Sequence, residues 1–303
     1  MSLLAVGSVA FDDLETPFGK RERVLGGSAS YFSLSASRFH PVQVVAVVGE
    51  DFGLDQYRVF EGRPIDLSGL VRKPGQSFHW KGSYGFDLNE ARTLETHLNV
   101  FQDFHPELPE SFRSSPYLFL GNIDPVLQLD VVRQMVQRPR WVALDTMNFW
   151  INGSREALQA VLREVDILLV NESEVRALTK EHNLLKAYRK VQAIGPRILV
   201  VKRGEYGASL FTPEGIFAAP AFPLEDVFDP TGAGDTFAGG FLGFLAAAGK
   251  TDVDTLKAAT ITGAVMASFT VEKFGTQNLE MVTEHDIKER TKAFSNMIRV
   301  DGL

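Results

Sequence analysis

Short apolar runs recur along this chain, separated by longer stretches in which apolar residues return every three or four positions. Leu3 to Val9, Val42 to Val48, Tyr117 to Gly121, Trp141 to Asp145, Ile167 to Asn171 and Ile198 to Lys202 read as strands. Between them, Gln128 to Gln137, Ser154 to Arg163 and Glu174 to Ala193 read as helices. Strands that are apolar on both faces need cover on both. The alternation therefore predicts an α/β fold with a mostly parallel sheet between two helical layers. Ligands of such sheets bind beyond the carboxyl ends of the strands. Asn122, Asp124, Asp145, Asn148 and Asn171 stand at or just past those ends, and each is equally suited to cap a helix.

Two segments break the alternation, Phe11 to Val24 and roughly Val71 to Phe104. Both combine short alternating patterns with turns and read as a small β lid, about 11–25 and 71–104, within a single domain spanning 1–303. Phe78, Trp80, Tyr84 and Phe86 fall at even spacing, which puts them on one face. They either meet an acceptor or pin the lid and bury a subunit contact.

Composition narrows the class. With 45% hydrophobic and 23% charged residues the chain is expected to bury a substantial core. No apolar run approaches the roughly 20 residues of a membrane span. The start, Met1-Ser2-Leu3, lacks a basic region and cleavage site, so a soluble, cytoplasmic protein is expected. The absence of cysteine excludes disulfides, thiolate metal sites and thiol catalysis, and the six histidines show no ligand spacing. A net charge of −7 argues against nucleic acid as a partner. Any phosphate must be met by local amides and a few cations.

The segment Asp229-Pro230-Thr231-Gly232-Ala233-Gly234-Asp235-Thr236-Phe237-Ala238-Gly239-Gly240 joins a turn to an apolar run, Thr236 to Ala248, that reads as a helix. Small residues at Gly232, Ala233 and Gly234 let backbone N–H groups approach an anion at that helix's N-terminus. Asp235 stands where those amides converge. The amides and the helix dipole are expected to hold it ionised, as a base beside a phosphate. A dinucleotide fingerprint would need glycine at Phe237, and the Gly-Lys-Ser/Thr of a Walker A loop is absent.

The whole string resembles the C-terminal signature of the ribokinase/PfkB family of sugar and nucleoside kinases. The resemblance runs nearly the full length, in order. Gly7 to Asp12 resembles the family's N-terminal G-x-x-x-x-D, and Gly26-Gly27-Ser28-Ala29 its di-glycine turn. Asn171-Glu172-Ser173-Glu174 matches N-x-x-E, Val201 to Gly207 resembles the nucleotide-contacting strand and turn, and Phe274-Gly275-Thr276 lies where the family closes over adenine. Singly, most of these are ordinary caps and turns; Asn171 caps a helix, and Gly204 with Gly207 makes a hairpin.

The resemblance implies a three-layer αβα sandwich with a small β-sheet lid, and in-line transfer of the γ-phosphate of ATP to a hydroxyl, of primary type, on a sugar or nucleoside. Gly232, Ala233 and Gly234 would form the anion hole and Asp235 the base, with the γ-phosphate on the amides of Ala233, Gly234 and Asp235. Asp12, Gly26, Gly27, Tyr31, Trp80 and Asn122 would face the acceptor. Asn171, Lys202, Gly204, Gly207 and Gly275 would face ATP, and Glu174 would place Mg²⁺ through water. Asp229 and Thr231 resemble positions that bind a monovalent cation such as K⁺ in some members, and lids of this family often pair in homodimers. Tyr31 departs from the family's Asn; with the lid aromatics, its flat face favours a nucleoside through stacking. The alternatives are a free-sugar kinase of ribokinase or fructokinase type, and a protein that senses nucleotide without turnover.

Overall fold

The computed structural model describes residues 2–89 and 91–299; Met1, Glu90 and residues 300–303, which fall within the expected domain and lid spans, lie outside the described residues. The predicted parallel sheet is present. It comprises β1 (Leu3–Val6), β4 (Val42–Val48), β5 (Ile65–Arg72), β8 (Tyr117–Leu120), β9 (Trp141–Asp145), β10 (Ile167–Asn171), β11 (Ile198–Lys202), β12 (Ala208–Thr212) and β13 (Gly215–Ala219). Their order is β13-β12-β11-β10-β9-β8-β1-β4-β5, with β12 and β13 antiparallel at one edge. Alternate residues of the central strands enter two separate cores. Leu3, Ala5, Phe119, Ala143, Leu169 and Val200 lie in one, while Leu4, Val6, Leu118, Leu144, Val170 and Val201 lie in the other. Continuous apolar runs are what such a doubly covered sheet requires.

The first core also packs the helices Ser28–Ala36, Ala233–Ala248 and Val253–Thr270. Phe32 stacks on Phe119 of β8 with ring centroids 3.9 Å apart. Gly239 and Gly243 let the Ala233–Ala248 helix approach the Ser28–Ala36 helix backbone to backbone; a Cβ on either would run into the carbonyl of Phe32 or Ala36. The Ser35 hydroxyl donates to the Thr236 carbonyl across that contact at 2.7 Å.

A second sheet forms the lid, from β2 (Ala10–Thr16), β3 (Gly19–Gly26), β6 (Phe78–Tyr84) and β7 (Ala91–His97) in the order β3-β2-β6-β7. The lid's second segment starts later than expected. Val71 and Arg72 belong to β5, where Val71 pairs with Val47 of the main sheet. β5 escapes sequence reading because it is a half-exposed edge with no unbroken apolar run. The first strand stops at Val6 rather than Val9, because the chain turns there toward β2 and a side chain on Gly7 would crowd Ser28. The stretch from Glu174 to Ala193 is two helices, Glu172–Thr179 and Leu184–Ile194, separated at Lys180, whose φ is 55°. Among the described residues no helix is long and apolar enough to cross a membrane.

Replacing Phe119 with alanine is expected to remove the Phe32 stack and leave a cavity, lowering stability by about 3–5 kcal/mol. Urea denaturation measures this, and Phe119→Leu is expected to lose clearly less.

Candidate active site

Asp229 fixes the loop that leads into the Ala233–Ala248 helix. Its carboxylate is fully buried; Oδ1 accepts the Thr231 N–H at 2.9 Å and Oδ2 the Gly275 N–H at 2.8 Å. The first bond closes the loop on itself, and the second ties it to the turn after the Val253–Thr270 helix. Gly275 (φ 59°) therefore closes the loop against Asp229, and Phe274 is buried beneath Gly19 and Arg21 of the lid rather than open to an adenine ring.

Gly232 enters the helix with φ 73°, a left-handed conformation natural to glycine, and a Cβ there would run into the Tyr31 ring. Ala233 N–H donates to the Pro230 carbonyl at 3.1 Å and Thr236 N–H to the Gly232 carbonyl at 2.8 Å. The first amides of a helix lack intrahelical acceptors, so Gly234 and Asp235 present the N–H groups of the cradle. The expected contribution of the Ala233 amide is directed elsewhere.

Lys202, the last residue of β11, crosses beside this turn. Its Nζ lies 2.6 Å from Asp145 Oδ2 at the end of β9, and a Cβ on Gly234 would sit 2.9 Å from the same Nζ. β10 lies between β9 and β11 and contributes Glu174 from the following helix. Asn171 caps that helix through a reciprocal pair: its Oδ1 accepts the Glu174 N–H at 2.8 Å, and Glu174 Oε2 accepts the Asn171 N–H at 2.7 Å. The capping reading of Asn171 is thus realised, and the cap also carries Glu174 into the charged cluster.

Burial, then the charge of Asp145, pushes the Asp235 carboxyl up to about 7, with Lys202 pulling it back. Desolvation and the neighbouring like charge thus oppose the amides and helix dipole expected to hold Asp235 ionised. Glu174 is pushed up to about 7 by burial and Asp145 in the same way. Burial opposes the charge of Lys202, but Asp145, Glu174 and Asp235 hold its pKa above the ordinary lysine value.

The residues expected on the acceptor side are brought in by the lid. Asp12 is buried with its carboxylate against Gly26; any side chain on Gly26 would collide with it, and Gly27 (φ 90°) then starts the Ser28–Ala36 helix. Burial, Asp229 and Asp235 raise the Asp12 pKa well above the carboxylate range. Trp80 shares the Asp12 face of the lid, lies across Gly82 and donates Nε1–H to Thr93 Oγ1 at 3.2 Å. Tyr84, further along, accepts a hydrogen bond from Thr231 Oγ1 at 3.1 Å, so the lid reaches the anion turn. Phe86 lies beyond the strand and is exposed. Asn89, which sequence reading missed, packs against Gly204 in the turn between β11 and β12; Gly207 (φ 87°) ends that turn against Ala219 and Pro220.

Tyr31 does not offer a free face. It is 1% exposed, with its ring against Gly232 and its hydroxyl buried without a hydrogen-bond partner among the described residues. Burial, with Asp229, Asp12, Tyr84 and Asp235 nearby, raises its pKa, so the phenol stays neutral. Asn122 Oδ1, just past β8, is likewise buried and unpartnered. Lys20, Arg21 and Arg23 are engaged with Glu15, Phe274 and Asp51 respectively.

Gly232→Ala is expected to displace the Tyr31 ring and the cradle and to lower turnover by at least about 10²-fold, the scale of losing an anion-hole donor. Gly249→Ala provides the comparison, since its φ is also positive at 60° but open space surrounds it. It should cost only about 1–2 kcal/mol of backbone strain and leave turnover intact in a steady-state assay.

The chain matches the pfkB family carbohydrate kinase over residues 11–283. It is 29% identical over 250 residues to the cytidine kinase of Thermococcus kodakarensis, covering 80% of this chain and 87% of that protein. It is 27% identical over 300 residues to the nucleoside kinase of Methanothermobacter thermautotrophicus, covering 91% of each. The crystal structure of aminoimidazole riboside kinase from Salmonella enterica, complexed with aminoimidazole riboside and an ATP analog, shares the fold with a TM-score of 0.76 at 20% identity, covering 96% of this chain and 100% of that one. A match that begins in the first lid strand and ends at the cap of the last long helix takes in every segment of the site, and on it the chain belongs to the pfkB family of carbohydrate kinases, phosphotransferases with an alcohol group as acceptor.

Proposed function

We propose that the chain transfers the γ-phosphoryl group of ATP to a primary hydroxyl of a nucleoside, with Asp235 as base and Asp12 gripping the acceptor. The observation that carries this is the meeting of a lid carboxylate with one from the anion turn: Asp12 is buried against Gly26 where the Ser28–Ala36 helix begins, Tyr31 of that helix packs its ring on Gly232, and half-buried Asp235 follows in the same turn, near enough for its charge to add to the rise in the Asp12 pKa. A hydroxyl between them would meet the carboxyl of Asp12 on one side and that of Asp235 on the other. The phosphates of ATP would run from the Lys202–Gly207 turn to the amides of Gly234 and Asp235, past Asn171. Among the described residues no group of three or more acids or histidines is set to hold a metal ion. Mg²⁺ keeps several waters and takes one or two carboxylates plus phosphates, and Glu174 would reach it through water. Such an ion neutralises phosphate charge during transfer. The chain's own residues orient the hydroxyl, accept its proton at Asp235 and exclude water beneath the lid.

The nucleoside acceptor is supported by the two relatives named cytidine kinase and nucleoside kinase. A free sugar of ribokinase or fructokinase type is the second reading, favoured by the burial of Tyr31, which removes one stacking surface. The same proposal extends to assembly. β7 exposes every residue, and among the described residues its outer edge pairs with no strand, which suits a lid-to-lid homodimer. A K⁺ beside Asp229 and Thr231 would meet a carboxylate whose oxygens already accept two amides, so loop carbonyls would supply most of its ligands.

Asp235→Asn is expected to bind ATP in calorimetry yet lose about 10²–10⁴ in transfer rate; full activity would remove Asp235 as the base. ADP release across a panel of nucleosides, ribose and fructose checks the acceptor, with a nucleoside preferred. Turnover should rise with pH through about 7, as Asp235 loses its proton. Stability of the ligand-free protein should run the other way. Asp235 and Glu174 bind protons more tightly folded than unfolded, so stability falls as pH rises from about 4 toward 7. Thermal melts should show a smaller decline in Asp235→Asn.

A further inference from the structure

We propose that Lys202 is a catalytic cation that leaves Asp145 for the transferred phosphoryl group, making this lysine the point at which the enzyme tells ATP from ADP. The inference rests on the kinase reading above and gives the transferred group its charged partner.

Three observations converge. First, the ammonium lies against the backbone of Gly234, one of the two residues whose amides face the anion; a Cβ at 234 would sit 2.9 Å from Nζ. A phosphoryl oxygen on those amides is therefore within a short side-chain movement of Lys202. Second, among the described residues the lysine has one direct partner, Asp145 at 2.6 Å, while Glu174 and Asp235 act on it through charge. Asp145 keeps the cation charged and parked while the cradle is empty, which makes Asp145 a positioning residue. Third, Arg203, the adjacent cation, is bonded to Glu172 at 2.7 Å. Local amides supply dipoles, and Lys202 supplies the full charge that an acidic chain otherwise lacks at this turn.

In the step itself the acceptor oxygen forms a bond to the γ-phosphorus and the bond from that phosphorus to the β,γ-bridging oxygen breaks. ADP leaves with that oxygen, and the acceptor proton passes to Asp235. Lys202 changes hydrogen-bond partner and neither gains nor loses a proton.

The alternative is that Lys202 only neutralises Asp145, a buried acid that cannot be left alone. Calorimetric titration with ATP and with ADP, in the absence of any acceptor, separates the two and does not depend on which acceptor is used. Lys202→Met is expected to reduce the ATP-over-ADP preference by about 10- to 100-fold, the scale of one charged hydrogen bond, with ADP affinity nearly unchanged. Asp145→Asn keeps the lysine and should keep the preference. Because Lys202→Met strands the Asp145 charge and risks misfolding, the double variant Lys202→Met/Asp145→Asn removes both charges; it should fold yet still lack the preference and the transfer rate. Recovery of wild-type ATP preference in the double variant, or equal weakening of ATP and ADP in Lys202→Met, would overturn the proposal.

Discussion

One half-buried lysine, Lys202, is crowded by three carboxylates, those of buried Asp145 and Glu174 and of half-buried Asp235, and the geometry of the site follows from satisfying that imbalance. Asp145 takes the direct ion pair, which leaves Asp235 and Glu174 with raised proton affinity. A carboxylate near neutrality suits a general base better than a fully ionised one, because it binds the acceptor's proton more strongly. The sheet makes the crowding possible: β9, β10 and β11 run parallel, so their carboxyl ends deliver Asp145, Asn171 and Lys202 side by side, with Asn171 and Lys202 in register. The helix at Gly232 then adds amides to the same place.

The lid is not an independent flap in this arrangement. Thr231, whose amide is held by Asp229, donates its hydroxyl to Tyr84 at the end of a lid strand. Asn89 beyond that strand packs on Gly204 of the nucleotide-side turn, while Asp12 rests on Gly26 at the lid's root. The lid and the turns at Thr231 and Gly204 are therefore coupled through named contacts. Closing one constrains the other.

The central strands were legible because each is apolar on both faces, a pattern that only a doubly covered sheet explains. The turn into the Ala233–Ala248 helix was legible because Gly232 adopts a left-handed conformation and Gly234 makes room for Lys202, and both demands leave glycine in the sequence. Charge balance was not legible. Asp145 was visible as a residue past a strand, but its pairing with Lys202 joins strands 57 positions apart. The burial that raises Asp235 also depends on tertiary packing. Tyr31 misled for the same reason: an aromatic at a substrate position reads as a stacking face until the backbone of Gly232 is found against its ring. β5 was missed because an edge strand with one wet face carries no continuous apolar signal.

If Asp235 is the base, one hydroxyl sits between it and the γ-phosphate while the phosphates rest on the amides of the turn. A crystal structure with a non-hydrolysable ATP analogue and cytidine measures this. The primary hydroxyl is expected within about 2.6–3.2 Å of an Asp235 oxygen, the hydrogen-bond reach of a base, and in line with the γ-phosphorus. The γ-phosphate oxygens are expected on the amides of Gly234 and Asp235. A cytidine held away from Asp235, or phosphates lying clear of Gly234, would contradict that arrangement.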